Sequence, residues 1–242
     1  MNNTDSQIII VNKEGMIEEN PQFTGCDDLV LKNGHPKALD NNATYNYQGH
    51  SDQKLLELAI KHTIKHQRPI EADNILVLGH AFYLSLNGES LNNAQQIEDT
   101  QKYLSNLVNF LNSATTDKTK LQIVGVETLQ HYWSGSNILL EMNMVDKVVF
   151  TSYDCGTIYP YTDLRELEDK NVYYAGCSNG RCLSSLISSL NKRVVVNNKF
   201  AIKELCLNNP DIYSKSLEPL EIESDIEVPL ISIKEFYNIL QI

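Results

Sequence analysis

From residue 75 to the C-terminus, six short apolar runs rich in β-branched and aromatic residues alternate with polar, turn-forming stretches. They are "ILVLG" (75–79), "LQIVGVE" (121–127), "KVVFTSY" (147–153), "VYYAG" (172–176), "RVVVN" (193–197) and "PLISI" (229–233). Several are continuously apolar, the pattern of strands buried on both faces. Between them the period changes. Leu104, Leu107, Val108 and Leu111 share one face of a helix over 99–114, and Leu183, Leu186, Ile187 and Leu190 share one over 182–190. "IKEFYNIL" closes the chain as a helix, and "YTDLREL" reads as a helix start with Thr162 as N-cap and acids in the first turn. Strands alternating with helices predict a parallel sheet with right-handed crossovers and a ligand site beyond the strands' C-terminal ends. Gly79-His80, Ser152–Gly156 and Gly176–Cys182 lie at such ends.

The pattern weakens upstream. Over 1–71, strand-like pieces at 8–11 and 29–31 are interspersed with Asn-, Gly- and Asp-rich loops, and a helix is expected from about 52 to 66. This stretch holds too little apolar sequence for a core of its own. It is expected to be an extension that packs on an α/β domain spanning 72–242 and reshapes the mouth of its site.

Composition narrows the partners. The chain of 242 residues is 42% hydrophobic, with net charge −11 and a pI near 5.0. No Lys/Arg cluster stands out, which argues against nucleic acid or an anionic membrane as partner. No apolar run approaches bilayer length, and "SQIIIVNKEG" is too short and poorly flanked for a signal peptide. The five cysteines (Cys26, Cys155, Cys177, Cys182, Cys206) are odd in number and lack CxxC spacing, which fits a reducing, cytoplasmic setting better than a disulfide framework. Export without a cleavable signal stays open.

One cysteine has a chemically suggestive address. In "YYAGCSNGRCLSSLISSL" a strand ends, a turn with two glycines follows, and Cys182 opens the helix. Unpaired backbone N–H groups and the positive end of the helix dipole collect there, which lowers a thiol's pKa and can hold an oxyanion. On this reading Cys182 is the most reactive of the five. The alternative is a packing residue, since free cysteine is among the most buried residue types.

From about residue 74 onward, the order of these pieces resembles the isochorismatase-like cysteine hydrolases, which include nicotinamidases and N-carbamoyl amide hydrolases. The resemblance is densest in "VVFTSYDCGTIYPYTDLRELEDKNVYYAGCSNGRCLSSLISSL", where Gly176 and Cys182 keep the family's G-x-x-x-x-x-C spacing. "RVVVNNKFA" and "VPLISIKEFYNIL" resemble the strands and helix that close the fold. The resemblance implies a three-layer αβα sandwich with a six-stranded, mainly parallel sheet ordered 3-2-1-4-5-6. It also implies a thiolate at Cys182 that attacks a small amide or related carbonyl, forming an acyl-enzyme that water hydrolyses. The backbone N–H groups of Ser178 and Cys182 would hold the oxyanion.

Two side chains of the family's triad are absent. Gly79 stands where an Asp is expected at the end of the first strand, and Thr151 or Ser152 where a Lys is expected at the end of the third. His80 is the substitute base, and Tyr153, Asp154 and Arg181 are candidates for orienting it or holding substrate. Each also has a plain reading as a strand-end or loop residue. His62 and His66 are spaced i, i+4, but they fall on the polar side of "LLELAIKHTIKH" with no acid nearby in sequence, so a solvated face is expected. Glu127 and His131 follow the second strand without the Asp-x-His pattern of nicotinamidase metal ligands. No metal or cofactor is therefore expected, and GxSxG, P-loop and GxGxxG motifs are missing. Two functions remain: a divergent cysteine hydrolase, or a catalytically inactive version of the fold that binds a small molecule or a protein partner. A homo-oligomer stays open.

Overall fold

The computed structural model describes residues 10–11, 17–18, 52–81, 94–114, 117–128, 132, 136–151, 158, 162–179, 182–208 and 228–241. Its elements are β1 (Ile10–Val11), β2 (Ile17–Glu18), α1 (Asp52–His66), β3 (Asn74–Gly79), α2 (Ala94–Ala114), β4 (Gln122–Glu127) and α3 (Asn137–Glu141). There follow β5 (Lys147–Phe150), a 3₁₀ turn (Arg165–Leu167), β6 (Asn171–Asn179), α4 (Cys182–Asn191), β7 (Asn198–Asn208), β8 (Leu230–Ile231) and α5 (Ile233–Leu240). Strands β5-β4-β3-β6-β7-β8 form one six-stranded sheet in which every pairing is parallel. In core-strand numbering this is the order 3-2-1-4-5-6, so the chain reverses direction across the sheet between β3 and β6. β1 and β2 form a separate antiparallel pair.

The continuous apolar runs explain the layers. On β3, Leu76 and Leu78 face one side and Ile75 and Val77 the other, and all four are buried. The first face packs on Tyr103, Leu107, Phe110 and Leu111 of α2 and on Phe236 and Leu240 of α5. The second packs on Leu183, Leu186 and Leu190 of α4 and on Leu164 and Leu167 around the 3₁₀ turn. Each such side chain contributes about 1.5–3 kcal/mol through removal from water, so helices on both faces are needed to cover β3. α1 packs against α3, and its Ala59 is fully buried in the first cluster. Ser232 closes a capping box with Glu235 at the start of α5.

Two local expectations fail. The run 193–197 is a connector rather than a strand. The Val194 N–H returns to the Leu190 carbonyl at 2.9 Å, Val195 is 78% exposed, and 195 and 197 bond to the turn before β6. The fifth core strand is β7, which begins at Asn198, directly after the expected run, and reads "NKFAIKELCLN". Its pattern is hidden by an irregularity. β6 and β7 stay in register to Tyr174↔Ala201 and resume at Gly176↔Cys206, so Ile202 and Leu205 point into one core with Lys203 and Glu204 between them. Glu204 uses that position to accept the Ile233 N–H of α5 at 2.9 Å. The second failure is Thr162, which does not cap a helix. Asp163 instead accepts the Arg165 N–H at 3.1 Å and its guanidinium at 2.6 Å, and only one 3₁₀ turn forms. Of the expected strand pieces in the extension, 29–31 lies outside the described residues.

Candidate functional site

The switch point is built by a backbone contact. Gly79 ends β3 opposite Gly176 of β6, and Gly176 sits at φ +122°, where a Cβ would lie 1.9 Å from the Gly79 carbonyl oxygen. Only glycine fits there. At Gly79 itself a Cβ would come within 2.8 Å of Leu186 Cδ2, with the Ala175 carbonyl oxygen and Leu183 Cδ1 both at 3.9 Å. Leu186 and Leu183 of α4 thus lie against the end of β3.

Beyond Gly79 the chain turns sharply. His80 has φ 44°, in the left-handed region, and its N–H donates to the Val126 carbonyl of β4 at 2.9 Å. Its ring carries Nε2 to the Thr151 hydroxyl at 3.2 Å, across β4 and beside the end of β5. The side chain is buried, and burial lowers its pKa to about 4, so the imidazole is neutral at pH 7. Thr151 occupies one of the two positions where the resemblance calls for Lys; it is 2% exposed, and its N–H donates to the Glu127 carbonyl at 2.9 Å.

Glu127 ends β4 and is almost wholly buried. Burial pushes its carboxyl up to about 8, against the smaller opposing effect of hydrogen bonds from Ser136 and the Ala81 backbone. The Ser136 hydroxyl donates to Oε1 at 2.7 Å. At neutral pH Glu127 is a carboxylic acid. The Ala81 carbonyl gathers two further groups, the Tyr103 hydroxyl at 2.8 Å and the Cys177 thiol at 3.6 Å. Burial holds Tyr103 well above the usual phenol range. The ends of β3, β4, β5 and β6 therefore share a buried cluster of uncharged donors and acceptors. The sequence reading missed Glu127, Tyr103, Ser136 and Cys177 as members. The legible signal was an acid closing an otherwise apolar strand run.

Cys182 opens α4 as expected and is 4% exposed. Ser178 belongs to β6, between Cys177↔Leu207 and Asn179↔Asn208. Tyr153, Asp154, Arg181 and His131 lie outside the described residues. β3 and β6 bring the His80 turn and the Cys182 turn to adjacent strand ends, while the Nε2 bond of His80 runs toward β5, on the other side of β3 from β6.

The expected solvated face on α1 is corrected. His62 Nε2 lies 2.5 Å from Glu141 Oε1 of α3, and its Nδ1 lies 2.5 Å from the hydroxyl of buried Tyr132. The rings of His62 and His66 stack with centroids 4.5 Å apart. An acid does accompany the pair, delivered from 79 residues downstream.

No family model, no curated protein and no solved structure matches this chain. Among the described residues no helix is long and apolar enough to cross a membrane.

Proposed function

We propose that this chain is a divergent isochorismatase-like protein whose switch point binds a small, uncharged polar molecule without catalysing amide hydrolysis. The observation that carries the reading is the 2.8 Å approach of Leu186 to a Cβ at Gly79. In the resemblance the family's proton acceptor stands at this position; here Gly79 takes it with the Leu186 methyl close by, so a carboxylate there would first have to displace that side chain. Among the described residues, the polar groups clustered at the neighbouring strand ends are uncharged: a neutral imidazole, a protonated carboxyl, hydroxyls and a thiol. Such groups suit a ligand that exchanges hydrogen bonds and carries no formal charge. Neither an anion nor a cation finds a counter-charge among them.

A second reading keeps a specific observation on its side. Cys182 stands in the first turn of α4, where backbone amides and the helix dipole favour a thiolate, and the His80 turn ends the neighbouring strand. In that reading Cys182 attacks the carbonyl and His80 takes the thiol proton. One experiment separates the two. Wild type and Cys182→Ala are incubated with primary amides, nicotinamide and N-carbamoyl amides, ammonia release is measured, and binding is followed by calorimetry. The silent reading expects saturable binding of a neutral amide with no turnover above Cys182→Ala. Turnover that Cys182→Ala abolishes establishes the hydrolase.

A further inference from the structure

Away from the switch point, on the flank where α1 meets α3, three side chains bring metal-ligating atoms together. His62 and His66 project from one side of α1 at i, i+4, and Glu141 ends α3. One ligand atom from each lies within 4.8 Å of the other two. We infer that His62, His66 and Glu141 form a binding site for a divalent transition ion of the zinc class, independent of the function proposed above.

The donor set decides the class. Two imidazoles and one carboxylate suit Zn²⁺ and its neighbours, and are poor partners for Mg²⁺ or Ca²⁺, which favour all-oxygen shells. The spacing is compatible. Ligand atoms at about 2.0–2.1 Å from a tetrahedral zinc lie roughly 3.3 Å apart, so the His62–Glu141 contact at 2.5 Å opens by under about an ångström to admit the ion. The widest separation among the three ligand atoms, up to 4.8 Å, must close by about 1.5 Å, movement that the partly exposed His62 and Glu141 side chains leave room for.

Tyr132 supplies the support that such sites use. Its hydroxyl meets His62 Nδ1 at 2.5 Å, and its ring is anchored edge-on to Phe150 of β5 with centroids 5.2 Å apart. With the proton on Nδ1 donated to Tyr132, the Nε2 lone pair faces the ion. In the metal-free protein the alternative tautomer serves: Nε2–H donates to Glu141 and the Tyr132 hydroxyl donates to Nδ1. Metal binding thus shifts the single ring proton from Nε2 to Nδ1, the Tyr132 hydroxyl changing from donor to acceptor as its own proton turns away, so the imidazole stays neutral and both ring nitrogens keep a partner in either state. Three protein ligands leave a fourth position for water or an exogenous ligand, since all three residues are only partly buried. The ion would also cross-link α1 to α3 and so tie the helix preceding β3 to the β5 side of the sheet.

The test is calorimetric titration of the chelator-treated full chain with ZnCl₂, paired with the visible spectrum after CoCl₂ addition. The expected result is one tight Zn²⁺ per chain and an intense cobalt band of low coordination number. His66→Ala and Glu141→Gln should each weaken binding at least tenfold, and Tyr132→Phe about tenfold, with unchanged far-ultraviolet circular dichroism. His66 is partly exposed, so His66→Ala tests the site even if changes at buried Tyr132 impair folding. Absence of stoichiometric binding, or binding that His66→Ala and Glu141→Gln leave intact, overturns the assignment.

Discussion

Replacing Glu127 by Gln should change how stability depends on pH more than it changes stability at any acidic pH. The carboxyl is buried, and its pKa rises from 4.5 to about 8 in the folded state. Between those values the folded protein keeps a proton that the unfolded chain releases, so stability falls as pH rises through the window. At about 1.4 kcal/mol per pH unit, the whole interval amounts to about 5 kcal/mol. His80 works in the opposite direction, with a pKa lowered from 6.5 to about 4. It contributes stability above pH 6.5, and that contribution, about 3 kcal/mol in full, is lost as pH falls through 4. The two slopes offset each other between pH 4.5 and 6.5. From 6.5 to 8 only the Glu127 effect remains of this pair, a decline of about 2 kcal/mol. Glutamine can accept the Ser136 hydrogen bond but cannot ionise. Urea denaturation followed by circular dichroism at intervals from pH 4 to 8.5 measures both proteins. The gap, variant minus wild type, should widen by about 5 kcal/mol across that range. Parallel curves, with a gap constant to within about 1 kcal/mol, would refute the buried protonated carboxyl.

The glycine contact is tested by Gly176→Ala, which must place a Cβ 1.9 Å from the Gly79 carbonyl; it should cost about 3 kcal/mol or more, read as a drop in melting temperature. A melting temperature near that of wild type would mean that the strands separate freely there. Gly79→Asp should also destabilise, by collision with Leu186 at 2.8 Å and by burying a carboxylate. Adding Leu186→Ala should recover part of that loss although Leu186→Ala alone costs about 2–5 kcal/mol, a non-additivity that a double-mutant cycle detects; strict additivity would show that the two positions do not compete for space.

Much of this fold is legible because burial on both faces forces long apolar runs. β3, β4 and β6 announce themselves that way, and α5 through the spacing of Ile233, Phe236 and Leu240. β7 does not, because Lys203 and Glu204 occupy an irregularity that breaks the period, while Val194–Val196 imitates a strand in a connector. At the site, local pattern places Gly79, His80, Gly176 and Cys182 at strand ends, and the strand order implied by the resemblance makes those ends neighbours. What local pattern cannot convey is which distant side chain arrives next to each. Leu186 over Gly79, Glu141 beside His62 and Tyr103 on the Ala81 carbonyl join positions 107, 79 and 22 residues apart. The neutral state of Glu127 likewise follows from enclosure by all of its neighbours, which no single segment of sequence encodes.

Cys182 offers the most direct measurement of whether the switch point is silent. Iodoacetamide labelling of the full chain at pH 6 to 9, quantified for each cysteine-containing peptide by mass spectrometry, compares it with an unstructured cysteine peptide. Cys206, with a thiol that burial pushes up to about 12, serves as the unreactive internal reference. Cys182, a residue only 4% exposed at the start of α4, should react more slowly than the free peptide at every pH. Labelling of Cys182 faster than the peptide at neutral pH would contradict a silent site and identify an activated nucleophile.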